Sequence, residues 1–123
     1  MKLSEITQTL VSEIKLTQIQ AKIFLHVVLH GQMNTSKISD ELNISLDHAT
    51  VNCKKLVELG GFIDMSNDEF EAMHPRFTAV NMYRKMCERE QKEFKKNLTV
   101  DNIGVALEAV SYTHLTLPTN REV

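Results

Sequence analysis

Apolar residues recur at three- and four-residue steps along several separate stretches of the chain, which is the period of helices that bury one side. Between residues 4 and 14, Ile6, Leu10 and Ile14 form such a stripe with Leu3, and Ser4 is placed to cap it. From Thr17 to His30 the chain is apolar nearly all round. Ile19, Ala21, Ile23, Phe24, Leu25, Val27, Val28 and Leu29 leave Gln18, Lys22, His26 and His30 as a narrow polar stripe. A helix of that kind is covered by neighbours on most sides, so it is expected at the centre of the core. Thr17 and Gln20 have the spacing of a reciprocal cap, and Gly31 provides a stop. A short helix follows, with Asn34, Thr35 and Ser36 as candidate caps and Ile38 and Leu42 as its apolar pair. After a tight connection at Asn43-Ile44, Ser45 can cap a third helix that runs to about Leu59. On its wheel Leu46, Ala49, Cys53, Leu56 and Val57 face inward, while Asp47, His48, Val51, Lys54, Lys55 and Glu58 face outward.

Gly60-Gly61 ends that helix. Phe62 to Met65 and Phe70 to Met73 flank a turn-rich Ser66-Asn67-Asp68-Glu69, which predicts a β-hairpin. Pro75 suits the first position of a further helix, along which Phe77, Val80, Tyr83, Cys87 and Phe94 keep nearly heptad spacing. Residues 99–108 predict another short helix with Val100, Ile103 and Leu107 on one side. This order predicts a mainly α fold with a small β-hairpin: a winged helix-turn-helix followed by a long C-terminal helix. Four regions follow: residues 1–15, an N-terminal amphipathic helix; 16–74, the winged domain; 75–108, a helical dimerisation segment; and 109–123, a tail.

That tail reads as non-native. Val110 to Thr119, VSYTHLTLPT, resembles the translation of a transposon adapter used in sequencing libraries, and in the same frame the adapter accounts for Asn120 to Val123 and the stop. The native part is therefore expected to end near Glu108, with the true C-terminus missing, and the tail is not expected to contribute to the native fold.

Hydrophobic content of 42% is ordinary for a globular chain, and there is no secretory signal or apolar run long enough to span a bilayer. Cys53 and Cys87 lack CxxC spacing and sit in helical patterns, which implies reduced thiols and a cytoplasmic location. Charge changes the picture more. The net is −2, but residues 1–73 contain no arginine and carry −4, whereas residues 74–96 carry +4.

The stretch LTQIQAKIFLHVVLHGQMNTSKISDELNIS, together with FEAMHP at Phe70 to Pro75, resembles the archaeal TrmB-like winged-helix regulators over roughly residues 14 to 96. The resemblance implies a dimeric, sequence-specific transcription regulator. The chain departs from the family at the start of the recognition helix, where Leu46, Asp47 and Thr50 stand in place of the usual Arg, Ser and Tyr.

Asp47, His48, Val51, Lys54 and Lys55 are the candidates for reading bases. Lys54 could donate to guanine, Asp47 accept from cytosine and Val51 touch a thymine methyl. Thr35, Ser36 and Lys37 are candidates for phosphate contacts, and Val80, Tyr83, Cys87 and Phe94 for a dimer seam. The expected partners are double-stranded DNA and a second copy, with no membrane; no effector is nameable. Against this stands an acidic winged domain, since affinity for DNA rests largely on Lys and Arg neutralising phosphates. The alternative is a winged-helix module that binds protein and makes no direct contact with DNA. The basic run Arg84, Lys85, Arg89, Lys92, Lys95 and Lys96, interleaved with Glu88, Glu90 and Glu93, reads as a solvated helix face that could add attraction to DNA. His26 and His30 have metal-ligand spacing, but the sequence shows no third ligand nearby, so no metal and no cofactor is expected. Nothing resembling a nucleophile–base pair or a phosphate loop is present, and the chain is not expected to be an enzyme.

Overall fold

The computed structural model describes the backbone of residues 2–120 and the side chains of residues 2–111. Within these residues the chain is mainly helical with a small antiparallel sheet. In chain order the elements are α1 (Leu3–Glu13), α2 (Gln18–His30), β1 (Gln32–Asn34), α3 (Thr35–Leu42), α4 (Leu46–Glu58), β2 (Phe62–Asp64), β3 (Glu69–Ala72), α5 (Pro75–Arg89) and α6 (Leu98–Asn120).

The local signals act largely where the sequence puts them. The Thr17 hydroxyl accepts from the Gln20 N–H at 3.1 Å, and the Gln20 side chain accepts from the Thr17 N–H at 3.0 Å, so two orphan donors of α2 are satisfied reciprocally. Gly31 ends the helix at φ 88°. Asn34 caps α3 by accepting from the Lys37 N–H at 2.8 Å, and Ser45 caps α4 by accepting from the His48 N–H at 3.0 Å. Asn43 turns the chain between these two helices in the left-handed region, φ 57°, which asparagine tolerates. Ser4 is not the cap of α1. The helix starts one residue before it, and the Lys2 N–H donates to the Glu5 carboxylate at 3.0 Å.

The sheet has three strands where two were expected. β1 pairs antiparallel with β3 on the side opposite β2, with Met33 across from Phe70. Three residues are too few to show a period-two pattern, so β1 has no signature in the sequence. Its effect is large, because it ties the end of α2 to the hairpin. The Thr35 N–H at the start of α3 also donates to the Asp68 carbonyl in the hairpin turn, at 3.0 Å.

Phe24, fully buried, stands at the centre of the core. It stacks on Phe62, and Phe62 in turn meets Phe70. Around them the core takes in Ile6 and Leu10 of α1, Ile38 of α3, and Ala49, Cys53 and Leu56 of α4. It continues without interruption into Ala79 and Met82 of α5 and Val100, Ile103 and Leu107 of α6. The corner after α4 explains how α5 docks. Gly60 has φ 91°, and a Cβ there would lie 2.6 Å from the Asn81 amide nitrogen, which donates to the Gly60 carbonyl. The buried Thr78 hydroxyl donates to the neighbouring Gly61 carbonyl. At Gly104 the helices come close: a Cβ would stand 3.2 Å from the Arg76 Cα, so glycine is what lets α6 cross the start of α5.

The helix that opens at Pro75 is shorter than the spacing out to Phe94 implied, and the further helix expected over 99–108 is present as α6. α5 ends at Arg89, Gln91 takes φ 56°, and residues 92–97 are irregular before α6 begins. α6 then folds back on α5 and on the rest of the core, with Val100, Ile103 and Leu107 buried as their spacing predicts. Its backbone runs well past residue 108. The tail expected to be adapter-derived, 109–123, lies for the most part outside the residues whose side chains are described. Among the described residues no helix is long and apolar enough to cross a membrane.

The two cysteines are free and buried. Burial pushes the Cys53 thiol up to about 12, because the thiolate would lose its hydration. A folded-state value above the ordinary one means this group favours the folded protein up to the usual thiol range. That advantage is lost as pH rises from there towards 12. We expect Cys53 to resist alkylation by iodoacetamide at pH 9 in the folded protein and to react once urea unfolds it, as read by peptide mass analysis. Equal labelling in both states would contradict its burial.

Candidate nucleic-acid interface

The outward face of α4 is built as the helical wheel predicts. Ala49, Asn52, Cys53 and Leu56 point inward, and Asp47, His48, Val51, Lys54, Lys55 and Glu58 are exposed. Val51, 64% exposed, is an apolar side chain left bare in the middle of this face. Lys55 lies 3.4 Å from Glu58, and Lys54 makes no ion pair among the described residues. A shallow groove bordered by Gln20, Val51, Lys54, Lys55 and Glu58 runs alongside. Leu46 is a correction. Its place on the wheel put it inward, yet it is 51% exposed, because it occupies the first position of α4, beyond the reach of the core.

The three residues expected to meet phosphates are not equivalent. Thr35 is buried, 2% exposed, with its N–H committed to Asp68, so it is withdrawn from the candidates. Ser36 and Lys37 are exposed at the start of α3. The Lys37 N–H is taken by the Asn34 cap, which leaves the Ser36 hydroxyl and the Lys37 ammonium as the groups open to a phosphate. The hairpin beside them carries Asp64, Asp68, Glu69 and Glu71. The Asp64 carboxylate accepts from the Ser66 N–H at 2.9 Å, and Glu69 accepts from the Gln32 amide at 2.7 Å. Those two acids are therefore engaged in holding the turn and the sheet.

The proposed dimer seam is not assembled as the heptad spacing implied. Cys87 is buried within the chain, 1% exposed, and cannot meet a partner. Val80 and Tyr83 are half-buried, and Phe94 lies beyond the end of α5, where it folds back against the Tyr83 ring at 6.0 Å. The heptad reading fails because the chain breaks after Arg89. The face left open combines Phe77, 71% exposed, with Val105 of α6, and the two border one groove with Val80.

Four of the six basic residues of the 84–96 run are matched to acids at their own surface. Arg84 meets Glu88 at 2.9 Å, Lys92 meets Glu90 at 3.1 Å, Lys95 meets Glu93 at 3.7 Å and Lys96 meets Asp101 at 3.7 Å. The hydrogen bond that the Lys92 ammonium donates to the Glu90 carboxylate holds it above its ordinary pKa.

One functional candidate has no sequence signal. Glu41 on α3 comes to His26 and His30 on α2, fifteen positions from His26 along the chain, through the packing of α3 against the end of α2. No family model, curated protein or solved structure matches the chain.

Proposed function

We propose that this chain is a non-catalytic, DNA-binding transcription regulator of the winged-helix type, with α3 and α4 as its helix-turn-helix and the β2–β3 hairpin as its wing. The observation that carries the reading is the bare outward face of α4, presented directly after a short helix and a tight turn and followed at once by a hairpin. Asp47, His48, Val51, Lys54 and Lys55 would meet base edges, and Ser36 and Lys37 would position the backbone. The likeness of residues 14 to 96 to the TrmB-like regulators supports the same reading. A second copy would seat on Phe77, Val80 and Val105, the apolar positions left open where α5 meets α6.

A second reading rests on a different observation. The hairpin is acidic, and Ile63 and Met65 are exposed on it at 43% and 42%, a surface better suited to a protein partner than to phosphates. One experiment separates the two. The full chain is titrated onto duplex DNA from upstream of its own gene, followed by fluorescence anisotropy across a salt series. With Lys37, Lys54 and Lys55 at phosphates or groove edges, log affinity should fall with log salt at a slope of about −2 to −3 per chain. Absence of binding at low salt would move the protein-partner reading into first place.

A further inference from the structure

We propose that His26, His30 and Glu41 form a binding site for a divalent transition metal, with Zn2+ the best match. His26 and His30 occupy consecutive turns at the C-terminal end of α2, and their rings lie 4.5 Å apart. Glu41, in the last turn of α3, brings a single carboxylate oxygen to both. This oxygen lies 2.7 Å from His26 Nε2 and 3.9 Å from His30 Nε2. All three ligand atoms fall within 4.8 Å of one another. In a tetrahedral zinc site, bonds of about 2.0–2.1 Å place ligand atoms about 3.3 Å apart. The observed set brackets that spacing, so rotation of partly exposed side chains suffices and no backbone need move.

Three further features favour a cation here. The Nδ1 of His30 lies 2.8 Å from the His26 carbonyl oxygen. A carbonyl only accepts, so Nδ1 carries the hydrogen, and in the neutral ring Nε2 is left with its lone pair directed at the site. This is the arrangement by which metal-bound histidines are fixed in tautomer and orientation. The Glu41 carboxylate already accepts a hydrogen bond from His26, so its oxygen faces the two rings before any ion arrives. Finally, the site lies at the C-terminal ends of two helices, where backbone carbonyls concentrate negative potential. Lys37, one turn before Glu41, is the charge that opposes binding.

Two imidazoles and a carboxylate select Zn2+, Co2+ or Ni2+ over Mg2+ and Ca2+, which take oxygen ligands. Three protein ligands leave a fourth position open to water. Binding would take the place of the hydrogen bond between His26 Nε2 and the Glu41 carboxylate. It would also pin α3 to α2. The site itself stands whether or not the chain binds DNA.

The test uses the full chain without an affinity tag. Co2+ is added and its visible ligand-field bands are followed, after which Zn2+ affinity is measured by competition with a chromophoric chelator. We expect a single saturable site from which Zn2+ displaces Co2+. Each of His26→Ala, His30→Ala and Glu41→Gln should weaken Zn2+ by at least about tenfold, with helical content unchanged by circular dichroism. A variant with His48, His74 and His114 all changed to Ala should bind as the parent does. Octahedral, non-saturating Co2+ spectra, full affinity in the Glu41→Gln chain, or loss in the triple variant would each overturn the site.

Discussion

Phe24→Ala should cost roughly 3–5 kcal/mol, the largest stability loss of any single truncation in this chain. The side chain is fully buried in α2, stacks on Phe62, and lies against the corner where Gly61 and Met82 meet. Removing the ring takes away its transfer free energy and leaves a cavity that α4, α5 and the sheet cannot all close upon. A domain of this size has total stability of about 5–15 kcal/mol, so the variant should be marginal. Urea unfolding followed by circular dichroism checks this. A shift in midpoint corresponding to less than about 1 kcal/mol would mean that the core is not centred on α2.

Lys54→Glu combined with Lys55→Glu should weaken DNA binding by at least about a hundredfold, on the reading that α4 enters the groove. Specific side-chain contacts to bases are worth about 1–3 kcal/mol each, and reversal adds repulsion from phosphates to the loss. Both lysines are exposed, and neither supports the core, so the doubly substituted chain should unfold at the same urea concentration as the parent. The contrasting variant is Lys95→Glu with Lys96→Glu. Its charges already sit beside Glu93 and Asp101 in the connection between α5 and α6, and its effect should be confined to a few-fold, salt-dependent change. Competition anisotropy reads both. Equal losses would point to non-specific attraction by the whole surface.

What was legible in the sequence was whatever a residue decides within its own turn. Thr17, Gln20, Gly31, Asn34, Asn43 and Ser45 act through bonds or dihedrals a few positions away, and each takes the role its chemistry predicts. Helical periodicity likewise placed the buried sides of α2 and α4 and the stripe Val100, Ile103 and Leu107. What was not legible depends on partners distant in sequence. β1 exists because β3 offers it an edge, and its own three residues say nothing. The heptad spacing from Phe77 to Phe94 read as one helix because periodicity does not register a break. The αL residue at Gln91 and the competing packing of α6 decided otherwise. Leu46 failed for a related reason, since a wheel treats the first position of a helix as if the core extended that far. Within the candidate interface the exposed face of α4 could be foreseen, whereas the burial of Thr35 and Cys87 and the approach of Glu41 to His26 could not.

If α4 is the surface that meets DNA, the backbone amide signals of the 15N-labelled chain should report it as duplex is added. We expect perturbations concentrated at Asp47, His48, Val51, Lys54 and Lys55, with a smaller set at Ser36 and Lys37. Perturbations absent from α4, or gathered on α5 and α6 instead, would contradict it.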